Sequence, residues 1–463
     1  MDNWFTRQIY NRAPPMLRSA FASAYGLRKS SRRFGGEFEK WSEFFEAGRR
    51  LSPAGIHAIH EEKLARHLRH AIQHVPYYRF LATSIDVAAI ETDPIGALTA
   101  FPHLTKQDIS NAGFEALLSE RTDLRAIEWK PTSGSTGRPM RFPWPARMEQ
   151  LEFAFVWTRC RPGVSQKDPY SSFTGLEILP PERSRPPFWI HNWPAHQRIF
   201  SIFHMNDARM RAYVEALANG YNSYLSGYSS AVAVLADYIL RNDLRLPQAP
   251  VAFFNGSEQL TSRNRKTIQA AFGCDVFDHY GQVELCASIT ECERHSLHCD
   301  TDYSYIELDP VSTDEEGMTV AEIVATNFHN LDYPLIRYRT GDLVAYDPNS
   351  RCDCGHPGRV VARIHGRTGQ YFVLPDGRKV SNISVIAKKC SNIQSMQVIQ
   401  RQIGAIEIVI VPNSDFSPSD EERIVSEFQK KIGTAVQIEV KRYSEPIRTA
   451  RGKCLSIMSY LSR

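Results

Sequence analysis

The sequence predicts an α/β protein with a large, multi-layer N-terminal domain over residues 1–366 and a small α+β C-terminal domain over residues 367–463. Three observations carry this expectation. Helix-like and strand-like segments alternate through the middle of the chain. The length, 463 residues, exceeds that of one ordinary domain. After Arg367 the pattern changes to short strands and one capped helix, a stretch of domain size, which places a boundary near Gly366.

The first element is a basic arm over residues 1–33. It carries Arg7, Arg12, Arg18, Arg28, Lys29, Arg32 and Arg33 against Asp2, a net +6 in a chain whose total is +4. Met16, Leu17, Ala20, Phe21, Ala24 and Tyr25 recur at helical spacing after Pro14-Pro15, which suits a helix start. The expectation is a surface helix that packs its apolar side on the large domain and leaves its arginines in water. The alternative is peripheral contact with an anionic membrane. Ser52 and Pro53 cap and open a second helix reaching toward Tyr78. Its His57, His60, His67, His70 and His74 alternate with charged residues and read as a solvated face. Residues Met210–Ala218 and Ser230–Leu240 read as helices, and Val251–Phe254 and Val276–His279 as short buried strands. In the tail, Tyr371–Leu374, Ile406–Val411 and Val436–Val440 read as strands, Pro375–Gly377 as a turn, and Ser417–Ile432 as a capped helix.

Composition excludes several classes. Hydrophobic residues make up 42% and charged residues 23%, as in globular proteins. No run is long enough to cross a bilayer, and no apolar core follows the first basic residues, so the expected location is cytoplasmic. The net charge is too small to imply nucleic acid. Nine cysteines, an odd count, read as thiols or metal ligands in a reducing compartment.

Four segments suggest chemistry. Thr132-Ser133-Gly134-Ser135-Thr136-Gly137 is rich in backbone and hydroxyl donors able to fold around phosphate, although a solvent-exposed linker has the same composition. It lacks the Gly-Lys-Ser/Thr ending of a Walker A loop. His279-Tyr280-Gly281-Gln282-Val283-Glu284 supplies a stacking ring, a turn and a carboxylate. Arg337–Asp342 places an acid after a glycine, suited to vicinal hydroxyls. Arg448–Lys453 presents a lysine after a glycine. Together they read as an ATP site divided between two domains.

With Pro76-Tyr77-Tyr78, Phe101–Lys106 and Gly227-Tyr228-Ser229, these segments resemble the adenylate-forming superfamily. The likeness is strongest to phenylacetate–CoA ligase and its capsular-polysaccharide relatives. The resemblance implies that the 132–137 loop holds the ATP β- and γ-phosphates, and that Gly256, Ser257 and Glu258 flank adenine opposite Tyr280 and Gly281. It further implies that Glu284 binds Mg²⁺, Asp342 the ribose, and Arg367 the nucleotide near the hinge. Lys453 would then neutralise charge when a carboxylate attacks the α-phosphate. Two departures stand out: Arg138 ends the loop where relatives carry lysine, and Thr368-Gly369-Gln370 replaces an acidic hinge.

Cys292-x5-His298 and Cys352-x-Cys354 form two pairs whose four N/S ligands fit a closed tetrahedral structural zinc, with reduced thiols as the alternative. The phenylacetate-type branch resembles this pattern. Cys299, His295 and His356 compete as ligands. Cys160, Cys274, Cys286 and Cys390 read as core thiols, and Cys454 as incidental.

The leading functional expectation is an ATP- and Mg²⁺-dependent ligase that joins a small carboxylic acid to coenzyme A through an acyl-adenylate. The others are transfer to an amine or hydroxyl acceptor and a catalytically silent nucleotide-binding protein. The acid pocket is expected between the loop after Arg147, the Phe200–Met210 segment and residues 255–284. Trp157, Phe173, Trp189, Trp193 and Phe203 there would favour an aryl or apolar acid, unless they are core. Oligomeric state is not legible.

Overall fold

The computed structural model describes residues 10, 13–80, 85–131, 140–180, 182–220, 222–314, 316–367, 372–376, 379–380, 383, 386–387, 389–449 and 454–461. They fall into two compact units, one built from residues 1–26, 166–276 and 367–463, the other from 27–165 and 277–366. Residues 367–463 thus group with the middle of the chain, and residues 1–366 are shared between the two units.

The first unit is organised by a six-stranded sheet in the order Trp189–Asn192, Gln197–Ser201, Tyr170–Thr174, Tyr224–Gly227, Ala252–Asn255, Asp275–Phe277. Its central strands pair in parallel, and Trp189–Asn192 joins antiparallel at one edge. Helices Asp207–Ala218 and Ser229–Arg241 connect the strands, as the alternating pattern predicts. Val232, Leu235, Ala236 and Ile239 are buried from one helix face, and Phe173, Leu225 and Phe253 from the sheet. Gly227 has φ +134°, and a Cβ there would sit 2.1 Å from the Phe173 carbonyl oxygen, so only glycine lets these strands approach.

The C-terminal segment contributes its own four-stranded sheet, ordered Gln437–Arg442, Ala405–Pro412, Ile393–Gln402, Ile457–Ser459. Helix Pro418–Ile432 crosses between two parallel strands and buries Ile424, Phe428 and Ile432. Its start is fixed by a Ser417/Asp420 capping box. The Arg263 guanidinium ties this segment to the rest of the unit through the carbonyls of Ile393 and Cys390, the latter at 2.8 Å.

The second unit holds two four-stranded sheets. One is ordered Val360–Val361, Leu297–Cys299, Ile289–Glu291, His279–Tyr280; the other is Ser304–Thr313, Thr319–Asn327, Tyr338–Tyr346, Arg363–Arg367. Strands Ile127–Pro131 and Arg141–Pro145 pair antiparallel out to Pro131 opposite Arg141. Helix Pro53–His74 starts as expected, with the Ser52 hydroxyl accepting from Gly55 N–H.

Three expectations change. The histidines of helix Pro53–His74 do not share a solvated face. His67 lies beside Leu64, Leu68 and Ala71 on the buried side and is fully enclosed, while His60 meets the Thr301 carbonyl at 2.8 Å. Arg147 opens no loop, because helix Ala146–Arg159 begins there. The third change is the N-terminal helix, Pro15–Arg33, which is inverted relative to expectation. Leu17, Phe21 and Tyr25 are exposed, whereas Arg18, Ser19, Ser23 and Lys29 are buried. The reason lies in what this helix covers. Trp189–Asn192 is an edge strand, and edge N–H groups need acceptors. Ser19 Oγ accepts from His191 N–H and Ser23 Oγ from Trp193 N–H, both at 3.1 Å. Farther along, Lys29 reaches Glu128 at 2.5 Å, and Arg32 reaches buried Glu149 at 2.6 Å. The polar side is therefore the one that docks.

Candidate functional site

In the second unit, the Tyr280–Glu284 and Arg337–Asp342 segments come together. Tyr280 ends its short strand and donates its hydroxyl to Asp342 Oδ2 at 2.7 Å. Burial and the adjacent Asp342 carboxylate push the Tyr280 phenol well above its ordinary range, so it remains a donor. Asp342 is oriented at its own backbone as well, with its N–H on Thr340 Oγ1 at 3.0 Å. Glu284 is buried, 4% exposed, and its Oε1 takes the Tyr338 hydroxyl at 3.3 Å. Lys106 lies 3.6 Å from the same oxygen. Sequence reading assigned Lys106 no role. The signal available was the Thr105/Asp108 capping box, which fixes Lys106 at the first position of its helix. Gly281 follows Tyr280 in the turn toward Glu284.

In the first unit, Gly256, Ser257 and Glu258 follow the buried strand Ala252–Asn255. Gly256 N–H bonds the Gly227 carbonyl at 3.1 Å, and Ser257 takes a left-handed φ of +66°. The Asn255 side chain braces the turn, accepting from Ser229 N–H and donating to the Glu258 carbonyl. The Glu258 carboxylate is engaged by protein donors. It accepts from Ser230 N–H and Ser230 Oγ, each at 3.1 Å, and from Cys454 N–H at 2.8 Å. Arg448 completes the group by donating to Ser230 Oγ at 3.1 Å and bridging Cys454 across the C-terminal hairpin. Buried Gln397 clamps the ends of that hairpin. Its amide accepts from Ile447 N–H at 2.7 Å and donates to the Ile447 and Leu455 carbonyls at 2.9 and 2.7 Å. Nothing in the sequence marked Gln397, because an isolated glutamine on a strand carries no pattern. Burial, with Glu258 nearby, pushes the Cys454 thiol up to about 12, which argues against a nucleophile.

Residues Thr132, Ser133, Gly134, Ser135, Thr136, Gly137, Arg138, Gly369 and Lys453 lie outside the described residues. So does the side chain of Arg367, whose backbone ends strand Arg363–Arg367.

Of the aromatic residues expected to wall an acid pocket, Phe173 is sheet core, fully buried and stacked on Phe200 at 4.9 Å. Trp189 packs on the same core, and Trp157 lies under the Arg161 guanidinium. These rings carry no argument for an aryl substrate.

Also in the second unit, Cys292, His298, Cys352 and Cys354 converge, their donor atoms all within 4.8 Å of one another. Cys292 Sγ lies 3.8 Å from Cys352 Sγ, and Cys354 Sγ lies 3.3 Å from His298 Nε2. A tetrahedral ion with bonds near 2.3 Å spaces its sulfurs by about 3.8 Å. The Gly358 carbonyl, 3.2 Å from His298 Nδ1, holds the ring so that Nε2 faces the cluster. N–H groups of Arg294 and His356 point at the Cys292 and Cys354 sulfurs, each at 3.4 Å. Gly355 closes the Cys352–Cys354 turn with φ +80°. The competitors stand outside: His295 pairs with Glu291, His356 faces Arg159, and Cys299 is buried in the apolar core. Cys160, Cys274, Cys286 and Cys390 are buried thiols, as expected.

Comparison with known proteins agrees with the resemblance read from sequence. A family profile described as the CapK C-terminal domain matches residues 372–459. Protein CapK of Staphylococcus aureus is 22% identical over 92% of both chains. A phenylacetate–coenzyme A ligase of Pseudomonas putida is 21% identical, covering 87% of this chain and 93% of its own. Among solved structures, 2-hydroxyisobutyryl-CoA ligase in its postadenylation state superposes with a TM-score of 0.66 at 17% identity, over 90% of this chain and 91% of that one. The homologues are thus CapK and phenylacetate–CoA ligases, and the fold is that of adenylate-forming CoA ligases. Among the described residues, no helix is long and apolar enough to cross a membrane.

Proposed function

We propose that this chain is an adenylate-forming ligase that uses ATP to activate a small carboxylic acid and then passes the acyl group to coenzyme A. The observation that carries this reading is the meeting of Tyr280, Glu284 and Asp342, drawn from two separate motifs. The Asp342 carboxylate, steered by the Tyr280 hydroxyl, is an acceptor for vicinal ribose hydroxyls. The tyrosine ring offers a face to adenine. Glu284 is a hard oxygen donor that fits Mg²⁺, and the ion, when bound, offsets charge on the phosphates. Lys453 would stabilise the negative charge gathered as the acid's carboxylate attacks the α-phosphate. Glu258 serves this reading by accepting from the backbone N–H of Cys454, the residue that follows Lys453 in the sequence.

Cys292, His298, Cys352 and Cys354 fit one structural zinc. Three sulfurs and one imidazole nitrogen fill a tetrahedron and leave no open position, so the ion would brace the second unit and take no part in catalysis.

A second reading replaces coenzyme A with an amine or hydroxyl acceptor. It is supported by Thr368-Gly369-Gln370, which stands where the resemblance implies an acidic hinge. Pyrophosphate exchange into ATP against a panel of carboxylic acids tests the shared first step, and product analysis with each acceptor separates the two readings. Exchange absent with every acid, while ATP still binds, would instead favour a silent nucleotide-binding protein.

A further inference from the structure

The N-terminal helix turns the wrong side outward for a helix that merely packs. Met16 is 78% exposed, Leu17 52%, Phe21 45%, Tyr25 52% and Leu27 60%. At 100° per residue these positions, with Ala20 and Ala24 between them, form one apolar strip about half the helix circumference wide. The opposite face is polar and already used. Ser19 and Ser23 satisfy the edge strand, Arg18 donates to the Tyr10 carbonyl at 3.2 Å, and Lys29 pairs with Glu128. Rolling the helix to hide the strip would strand those edge N–H groups. The exposure is therefore held in place by hydrogen bonds.

We propose that this strip lies in the surface of an anionic lipid bilayer. Charge decides the occupant. The helix contains no acidic residue, and Arg28 is exposed at the end of the strip. Behind it Lys29, Arg32, Arg33 and Lys130 face the carboxylates of Glu128 and Glu149, and Lys130 also that of Glu152, so with Arg28 the basic groups outnumber these acids. The last turns thus carry an excess of positive charge that an anionic surface answers. A second copy of the strip offers no acid to do so. A continuous helix of 19 residues is about 28 Å long, enough to lie in the interface plane with its apolar residues among the acyl chains. This inference is independent of the catalytic reading.

The test is co-sedimentation of the full chain with phosphatidylglycerol-containing vesicles and with phosphatidylcholine vesicles, at low and high salt. The expected result is binding to the anionic vesicles that weakens with salt. Leu17→Glu/Phe21→Glu, at exposed positions that leave the melting temperature unchanged, should lower partitioning about tenfold or more, and Arg28→Glu by a smaller factor. Failure of the wild type to bind, or binding that survives Leu17→Glu/Phe21→Glu, overturns the proposal. Sedimentation equilibrium covers the other occupant: a dimer dissolved by the same double substitution assigns the strip to a second copy and likewise overturns it.

Discussion

Replacing Glu258 by glutamine should loosen the C-terminal hairpin without disturbing the sheet it leans on. In the wild type, Oε1 accepts from Ser230 Oγ and Cys454 N–H, and Oε2 accepts from Ser230 N–H. Glutamine keeps one oxygen but puts an NH₂ in place of the other. If the oxygen stays with Cys454, the NH₂ faces Ser230 N–H, two donors head to head. One bond is then lost and the remaining two fall from charge-assisted to neutral strength. Hydrogen bonds to charged groups contribute roughly 1.5–3 kcal/mol and neutral ones about 1 kcal/mol. Because Glu258 is half-buried, the net loss is discounted to about 2 kcal/mol. Spread over the hairpin's opening equilibrium, that is roughly thirtyfold faster amide exchange at Cys454 and its neighbours. Exchange–mass spectrometry reads this directly, with the peptide covering strand Ala252–Asn255 as internal control. Pyrophosphate exchange should fall together with the protection, through kcat more than through the KM for ATP. Unchanged protection at Cys454 would refute the docking role, whatever the activity does. Equal loss of protection across the whole first unit would refute it too, because the carboxylate would then be a general support.

Lys453→Ala should lower pyrophosphate exchange about a hundredfold or more with an unchanged melting temperature; wild-type exchange sinks the assignment. Purified protein should contain about one zinc per chain by metal analysis, and Cys352→Ser and Cys354→Ser should each lower both zinc content and thermal stability. Zinc-free wild type with full stability would leave four ordinary side chains. His67 and His329 should withdraw stability as pH drops from 7 to 5, against the opposite contribution of Glu152 and Asp302, which burial raises to about 7 and about 6. Burial lowers His67 and His329 to about 3, so over that window the unfolded chain takes up protons that the folded chain refuses. Each histidine then contributes up to about 1.4 kcal/mol per pH unit below its ordinary value near 6.5. Urea titrations should show His67→Met losing less stability over that window than the wild type, and an identical slope in that variant counts against the assignment.

Much of this protein was legible in the chain itself. Periodicity located helices Asp207–Ala218 and Ser229–Arg241, the capping residues Ser52 and Ser417, and two strands of the C-terminal sheet, Ala405–Pro412 and Gln437–Arg442, because these depend on local spacing and caps, but it left strands Ile393–Gln402 and Ile457–Ser459 unread. The pairing of Cys292 and His298 with Cys352 and Cys354 was legible too, since only a few residue types carry soft donors. The tertiary structure decided what depends on who lies opposite. Helical periodicity finds an apolar strip but cannot tell which side of the helix meets the protein. Here the unpaired N–H groups of an edge strand pulled the serines inward and left Leu17, Phe21 and Tyr25 outside. Phe173 looked like a pocket wall until its strand neighbour placed Phe200 against it. Gln397 and Glu258 acquire their roles only from backbone groups 50 and 196 residues away. A hydrogen bond requires a partner at 3 Å, and for such distant pairs sequence separation says nothing about that distance.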